Sequence, residues 1–162
     1  MSSVLFRPSL PLRRPLRRSL RAAAVTGAAC LAVAVAAAPA AHAGPGGAFG
    51  TVYSLTQGPC VAVVDSSVNG DAYPNSAAFT VQTTMIGVGS CELTVTLRWR
   101  DVGDGSTGEF TVTAHGPGYW SNSGPGAIFS PGTGSFTGTV TVSAPSIGGS
   151  GEVAFDIPQY QG

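Results

Sequence analysis

The sequence predicts an all-β protein, a two-sheet antiparallel β-sandwich of about seven strands, and three observations point to it. Residues 44–162 hold 22 of the chain's 23 glycines and 8 of its 12 prolines, spaced so that no long helical pattern fits between them. Between these breakers apolar and polar residues alternate with a period of two. Cys60 and Cys91 form an even pair in a chain that opens like an exported one, which predicts a disulfide. A small barrel is the alternative closure.

Each strand is argued from its own alternation. "FGTVYSLT" (49–56) and the apolar run "CVAVVD" (60–65) supply two strands near the start of the domain. "AAFTVQTTMIGV" (77–88) carries Phe79, Val81 and Met85 in register. In "CELTVTLRWR" (91–100), Cys91, Leu93, Val95, Leu97 and Trp99 share one face, so Trp99 is a core residue and the disulfide lies in or beside the core. "FTVTAH" (110–115) places Phe110, Val112 and Ala114 together, and "EVAFDI" (152–157) does the same with Val153, Phe155 and Ile157. "SFTGTVTVSA" (135–144) points Phe136, Val140, Val142 and Ala144 inward, with Gly138 marking a bulge or a close contact. The two long threonine-rich strands lack lysine guards, which leaves edge-to-edge association open.

The architecture is immunoglobulin-like in general terms only. The Cys60–Cys91 separation is shorter than in antibody domains, and no motif identifies a family.

Residues 1–43 read as a secretory signal: a basic segment with six arginines, an apolar stretch without charge from Ala22 to Ala43, and the small-x-small ending Ala41-His42-Ala43. Cleavage after Ala43 is favoured over an uncleaved anchor, because the apolar run is mostly alanine and is broken by Thr26, Gly27 and Pro39. The paired arginines Arg13-Arg14 and Arg17-Arg18 leave twin-arginine export open beside the general route. Gly27 stands where a lipobox needs leucine, which argues against a lipid-anchored Cys30. The expected product is a single domain, residues 44–162, secreted and extracellular or associated with the cell wall. The alanine-, glycine- and arginine-rich, lysine-free composition suggests a bacterial source.

Removal of the leader leaves Arg98 and Arg100 against eight carboxylates, a net charge of −6. A lysine-free acidic surface has little with which to neutralise phosphates, so nucleic acid is excluded as a partner and anionic lipid is disfavoured. No membrane insertion is expected after cleavage. Composition says nothing about oligomeric state.

Most catalytic chemistries lack their parts. "GDGSTG" (103–108) spells a dinucleotide-loop pattern, yet it joins two alternating strands with no helix following, so it is a turn. Asp101, Asp104 and Glu109 cluster nearby, without the alternating acidic positions of a calcium loop. One histidine and two disulfide cysteines leave too few ligands for zinc, so no metal or other cofactor is expected. His115 is the sole histidine after residue 43, and no G-x-S-x-G elbow accompanies it. A small secreted hydrolase using His115 or a carboxylate pair is the alternative reading; Glu92 and Glu152 both fall on outward strand faces. Arg98 and Arg100, two apart on one wet face, suit either an anionic ligand or cross-strand pairing with Glu109, and pairing is favoured.

The segment "HGPGYWSNSGPG" (115–126) is the candidate site. Two Gly-Pro-Gly punctuations frame Tyr119, Trp120 and Asn122, so the stretch reads as a compact surface loop. Projected outward, Tyr119, Trp120, Asn122 and His115 make a ligand-binding set for an extracellular polysaccharide or protein surface. Folded back, Trp120 closes one end of the sandwich, and this is the favoured conformation. The function expected is non-catalytic binding or structural support. A secreted protease inhibitor is a further alternative, disfavoured because so glycine-rich a loop is poorly pre-organised.

Overall fold

The computed structural model describes residues 44–161. The signal reading, cleavage after Ala43 and Cys30 lie outside the described residues. Those described form two antiparallel sheets packed as a sandwich, joined by the Cys60–Cys91 disulfide. Among them no helix is long and apolar enough to cross a membrane.

Eleven strands are formed: β1 (Gly46–Ala48), β2 (Val52–Leu55), β3 (Cys60–Tyr73), β4 (Ser76–Gly87), β5 (Cys91–Asp101), β6 (Thr107–Gly116), β7 (Gly118–Ser121), β8 (Ile128–Phe129), β9 (Gly134–Val142), β10 (Ser146–Ile147) and β11 (Glu152–Ile157). The larger sheet runs β10-β2-β3-β4-β7, with β1 also pairing β3 and β8 pairing β4; the smaller runs β11-β9-β5-β6. All seven expected strands are present. The four extra ones, β1, β7, β8 and β10, span only two to four residues, too few for an alternation to be read.

Alternation fixes the core as expected. Phe79, Val81 and Met85 of β4 face Leu93, Val95 and Leu97 of β5, and all six are buried. Phe136 and Phe155 stack at 5.4 Å between ring centres, and Phe129 meets Phe155 edge-on at 6.2 Å. Trp99 is half-buried at the end of this row, edge-on to Phe136 at 5.7 Å. Its ring lies over Gly108, where a Cβ would come within 2.3 Å of the indole, so the glycine makes room for the tryptophan. Gly138 is a close contact rather than a bulge: its register on β5 and β11 is unbroken and a Cβ would meet Leu97 at 3.0 Å.

The disulfide ties β3 of one sheet to β5 of the other, with Cα atoms 6.0 Å apart and both cysteines buried. Closing a loop of about 30 residues removes on the order of 3–4 kcal/mol of chain entropy from the unfolded state. The "GDGSTG" stretch is a hairpin turn between β5 and β6: Asp101 accepts hydrogen bonds from the amides of Gly103 (2.6 Å) and Asp104 (3.2 Å), and Gly105 takes a positive φ of 76°.

The threonine-rich strands β5 and β9 are neighbours inside the smaller sheet. Neither is an edge, so the edge association considered for them has to be asked of β6 instead.

Candidate functional site

The stretch 115–126 is not a projecting loop. β6 carries His115 and Gly116 to the end of the smaller sheet, and the cis Gly116–Pro117 bond turns the chain across the sandwich. β7 then pairs with β4 in the larger sheet, Tyr119 opposite Thr84 and Trp120 opposite Thr83. A 3-10 turn at Gly124–Ala127 follows. The Gly-Pro pair that marked a loop in sequence marks a change of sheet, and the bare edge of β4 supplies the hydrogen bonds that make Gly118–Ser121 a strand.

The four candidate binding residues are therefore not brought onto one surface. Tyr119 stands on the outer face of the larger sheet, 68% exposed. Trp120 turns to the inner face and packs half-buried against the core. Asn122 is buried, and its amide is committed to the fold: Oδ1 accepts from the Val81 amide at 2.7 Å, and Nδ2 donates to the carbonyls of Phe79 (2.8 Å) and Gly126 (3.3 Å). His115 lies on the outer face of the smaller sheet, its Nδ1 3.7 Å from Glu92 across the ladder, with both side chains largely exposed.

The other sequence candidates separate in the same way. Arg98 Nε lies 3.7 Å from Glu109 Oε2 across the β5–β6 ladder, the pairing the alternation favoured. Both side chains are exposed, so the pair contributes little to stability. These residues, with Arg100, Thr139 and Glu152, border a broad groove of about 790 Å³ on the outer face of the smaller sheet. Asp101 and Asp104 point their carboxylates at turn amides, and among the described residues no group of three acidic, histidine or cysteine side chains converges as a metal site. Hydrogen bonding from the Ser106 backbone amide, and secondarily from its hydroxyl, holds the Asp104 carboxyl below its ordinary range. Glu92 and Glu152 occupy cross-strand rows six residues apart along β5, about 20 Å, well beyond the separation of a glycosidase pair.

No family model, curated protein or solved structure matches the chain.

Register exposes a feature that sequence reasoning missed. On the outer face of the larger sheet, Ile147, Tyr53, Val63, Thr84 and Tyr119 stand side by side across five strands. The next row, Leu55, Val61 and Ile86, is apolar throughout. Ile147 is 74% and Tyr53 53% exposed, and Leu55, Val61 and Ile86 are exposed as well. Part of the surface is a shallow groove of about 370 Å³ between Tyr53, Leu55, Val61 and Ile147. The first charge on this face is Asp65, in the row that flanks Tyr53 and Val63 on the side away from Val61, where it accepts a hydrogen bond from Thr51 at 2.6 Å. The signal was present in "VYSL" and "VAVV": apolar residues at odd and even positions alike imply that both faces of a strand are apolar.

Proposed function

We propose that the protein is an exported, non-catalytic binding module that docks an uncharged, largely apolar protein surface on the outer face of its seven-stranded sheet. One observation carries this reading: two adjacent cross-strand rows, with Tyr53 and Tyr119 in one of them, contain no charged side chain and stand in solvent. Isolated exposed apolar residues are common on any protein, whereas a contiguous set on a flat sheet marks an interaction surface. Tyr53 and Tyr119 supply large contact area at low entropic cost, each with a hydroxyl for the polar rim. The face offers few hydrogen-bonding groups beyond those hydroxyls and Thr84, and this favours a protein surface over a polysaccharide, whose hydroxyls need partners. Export and an extracellular or cell-wall location rest on the leader-like residues 1–43 and fit a domain held by a disulfide.

The ligand class is tested by passing the protein, produced from its full-length chain, over immobilised cell-surface proteins and over purified cell-wall polysaccharide from the same host. The reading expects retention on the protein fraction that persists in high salt, as an uncharged contact should. Retention on polysaccharide alone would overturn it.

A further inference from the structure

Of the six strands in the described sandwich that pair on one side only, five are short or partly covered, β1 among them with three residues. β10 and β8 have two residues each and β7 four. β11 runs alongside β1, and its Asp156 amide donates to the Gly44 carbonyl at 3.2 Å. β6 differs. It is the terminal strand of its sheet, ten residues long, and pairs with β5 without a break from Thr107 to Gly116. Among the described residues no backbone hydrogen bond joins β6 to anything outside that ladder. Nor does the strand carry the lysine, proline or bulge that commonly blunts an edge.

We propose that β6 is a self-association edge, through which two copies of this chain pair antiparallel about a two-fold axis at Val112 to make one continuous eight-stranded sheet. Two constraints choose the axis. Continuity of inner and outer faces requires that partners have the same parity, so the axis must pass through a residue and not between two. An axis at Val112 sets Thr111 against Thr113, Phe110 against Ala114, Glu109 against His115 and Gly108 against Gly116. An axis at Thr111 leaves Glu109 opposite Thr113, and one at Thr113 sends it past the strand end to Pro117. Only Val112 matches the two ionisable residues of β6 to each other.

The resulting row sets Arg98 and Glu109 of one copy beside His115 and Glu92 of the second, and it alternates in sign when the imidazole is protonated. Both halves already exist within the chain, each at 3.7 Å. A two-fold axis makes the row twice. Opposite charges directly across an antiparallel pair are favourable and fix register, and an imidazole N–H donates to a carboxylate whether or not the ring is charged. On the inner face, the half-buried Phe110 stands opposite Ala114 of the second copy; Ala114 is already fully buried in its own copy, so Phe110 is the member of this pair with surface left to cover.

Cysteine trapping reads the register directly. Thr111→Cys and Thr113→Cys variants are each produced from the full-length chain, then oxidised separately and as a mixture. Directly opposed residues lie about 4.5–5.5 Å apart, within disulfide reach, whereas the diagonal Thr111–Thr111 separation of about 7–8 Å is not. The mixture is expected to give a cross-linked dimer joining the two substituted positions, and each variant alone is expected to give none. Sedimentation of the unsubstituted protein is expected to show a dimer that Glu109→Lys weakens on the order of tenfold at unchanged thermal stability. A monomer at about 100 μM, or equal cross-linking in the separate samples and the mixture, would overturn the proposal.

Discussion

Tyr119 and Trp120 are adjacent in sequence and lie on opposite faces of β7, the phenol exposed beside Thr84 and the indole turned inward opposite the buried Thr83. The question of whether the pair is a platform or a plug thus has a different answer for each residue. Trp120→Ala should destabilise the domain by about 2–3 kcal/mol, less than a fully buried tryptophan because the ring is only half covered. Tyr119→Ser should stay within about 0.5 kcal/mol of the parent. Urea titration of both variants checks this, and equal losses would contradict the split.

Fluorescence tests the same geometry independently. With Trp99→Phe, Trp120 is the sole tryptophan reporter, and its emission should be blue-shifted and weakly quenched by acrylamide. Strong quenching with red-shifted emission would place the indole in water, against its packing on the core.

Asn122 should be more sensitive to truncation than any exposed residue of its segment. Its amide satisfies the Val81 N–H and the Phe79 C=O, both inside the sheet. Asn122→Ala leaves these groups without a partner, at a cost of about 2–4 kcal/mol, measurable as a lower urea midpoint at unchanged slope. A midpoint equal to the parent's would show that the amide is dispensable.

Gly108→Ala should destabilise by about 1–3 kcal/mol, because the added methyl meets the Trp99 ring at 2.3 Å and the indole must move. The same change combined with Trp99→Leu should recover most of the loss. If the double variant is no more stable than Gly108→Ala, the glycine is required for some reason other than the ring.

Asp104 gives the acid dependence a sign. Its folded carboxyl titrates below the ordinary range, because the charged form is hydrogen-bonded by Ser106. A group whose pKa is lowered on folding contributes stability that is present above its unfolded pKa and lost as pH falls through the folded one. The group is fully exposed, so the turn, more than the whole domain, should respond. The Ser106 amide resonance should therefore shift with a midpoint below about 3.9, the reference value for aspartate. A midpoint at or above that value would mean the hydrogen bond is not kept in solution.

The sandwich was legible where one face of a strand is apolar and the other polar, as in β5, where five inward residues alternate with charged and hydroxyl neighbours. It was not legible in β7, whose four residues are too short for a period and sit behind a Gly-Pro pair that normally ends structure. The apolar outer face was hidden for another reason. Val61 to Val64 are apolar on both sides, and alternation cannot say which side meets the core until partners are known. Register settles it: Ala62 and Val64 face inward, while Val61 and Val63 join Tyr53, Ile86 and Tyr119 outside. Asn122 looked like a ligand contact because a polar residue beside two aromatics suits both a rim and a buried clamp, and only the position of β4 separates the two.

The central claim is that the outer face of the seven-stranded sheet is the docking surface, and its most direct test compares two faces of one protein. A Tyr53→Ser, Ile147→Ser, Tyr119→Ser variant and a control carrying Thr94→Ser and Thr141→Ser on the opposite sheet, away from the β6 edge, are produced from the full-length chain. Near-ultraviolet circular dichroism checks that each is folded. Retention on immobilised cell-surface proteins should fall at least about tenfold for the first and stay at the parent level for the control. Equal retention of both would contradict the assignment of this face.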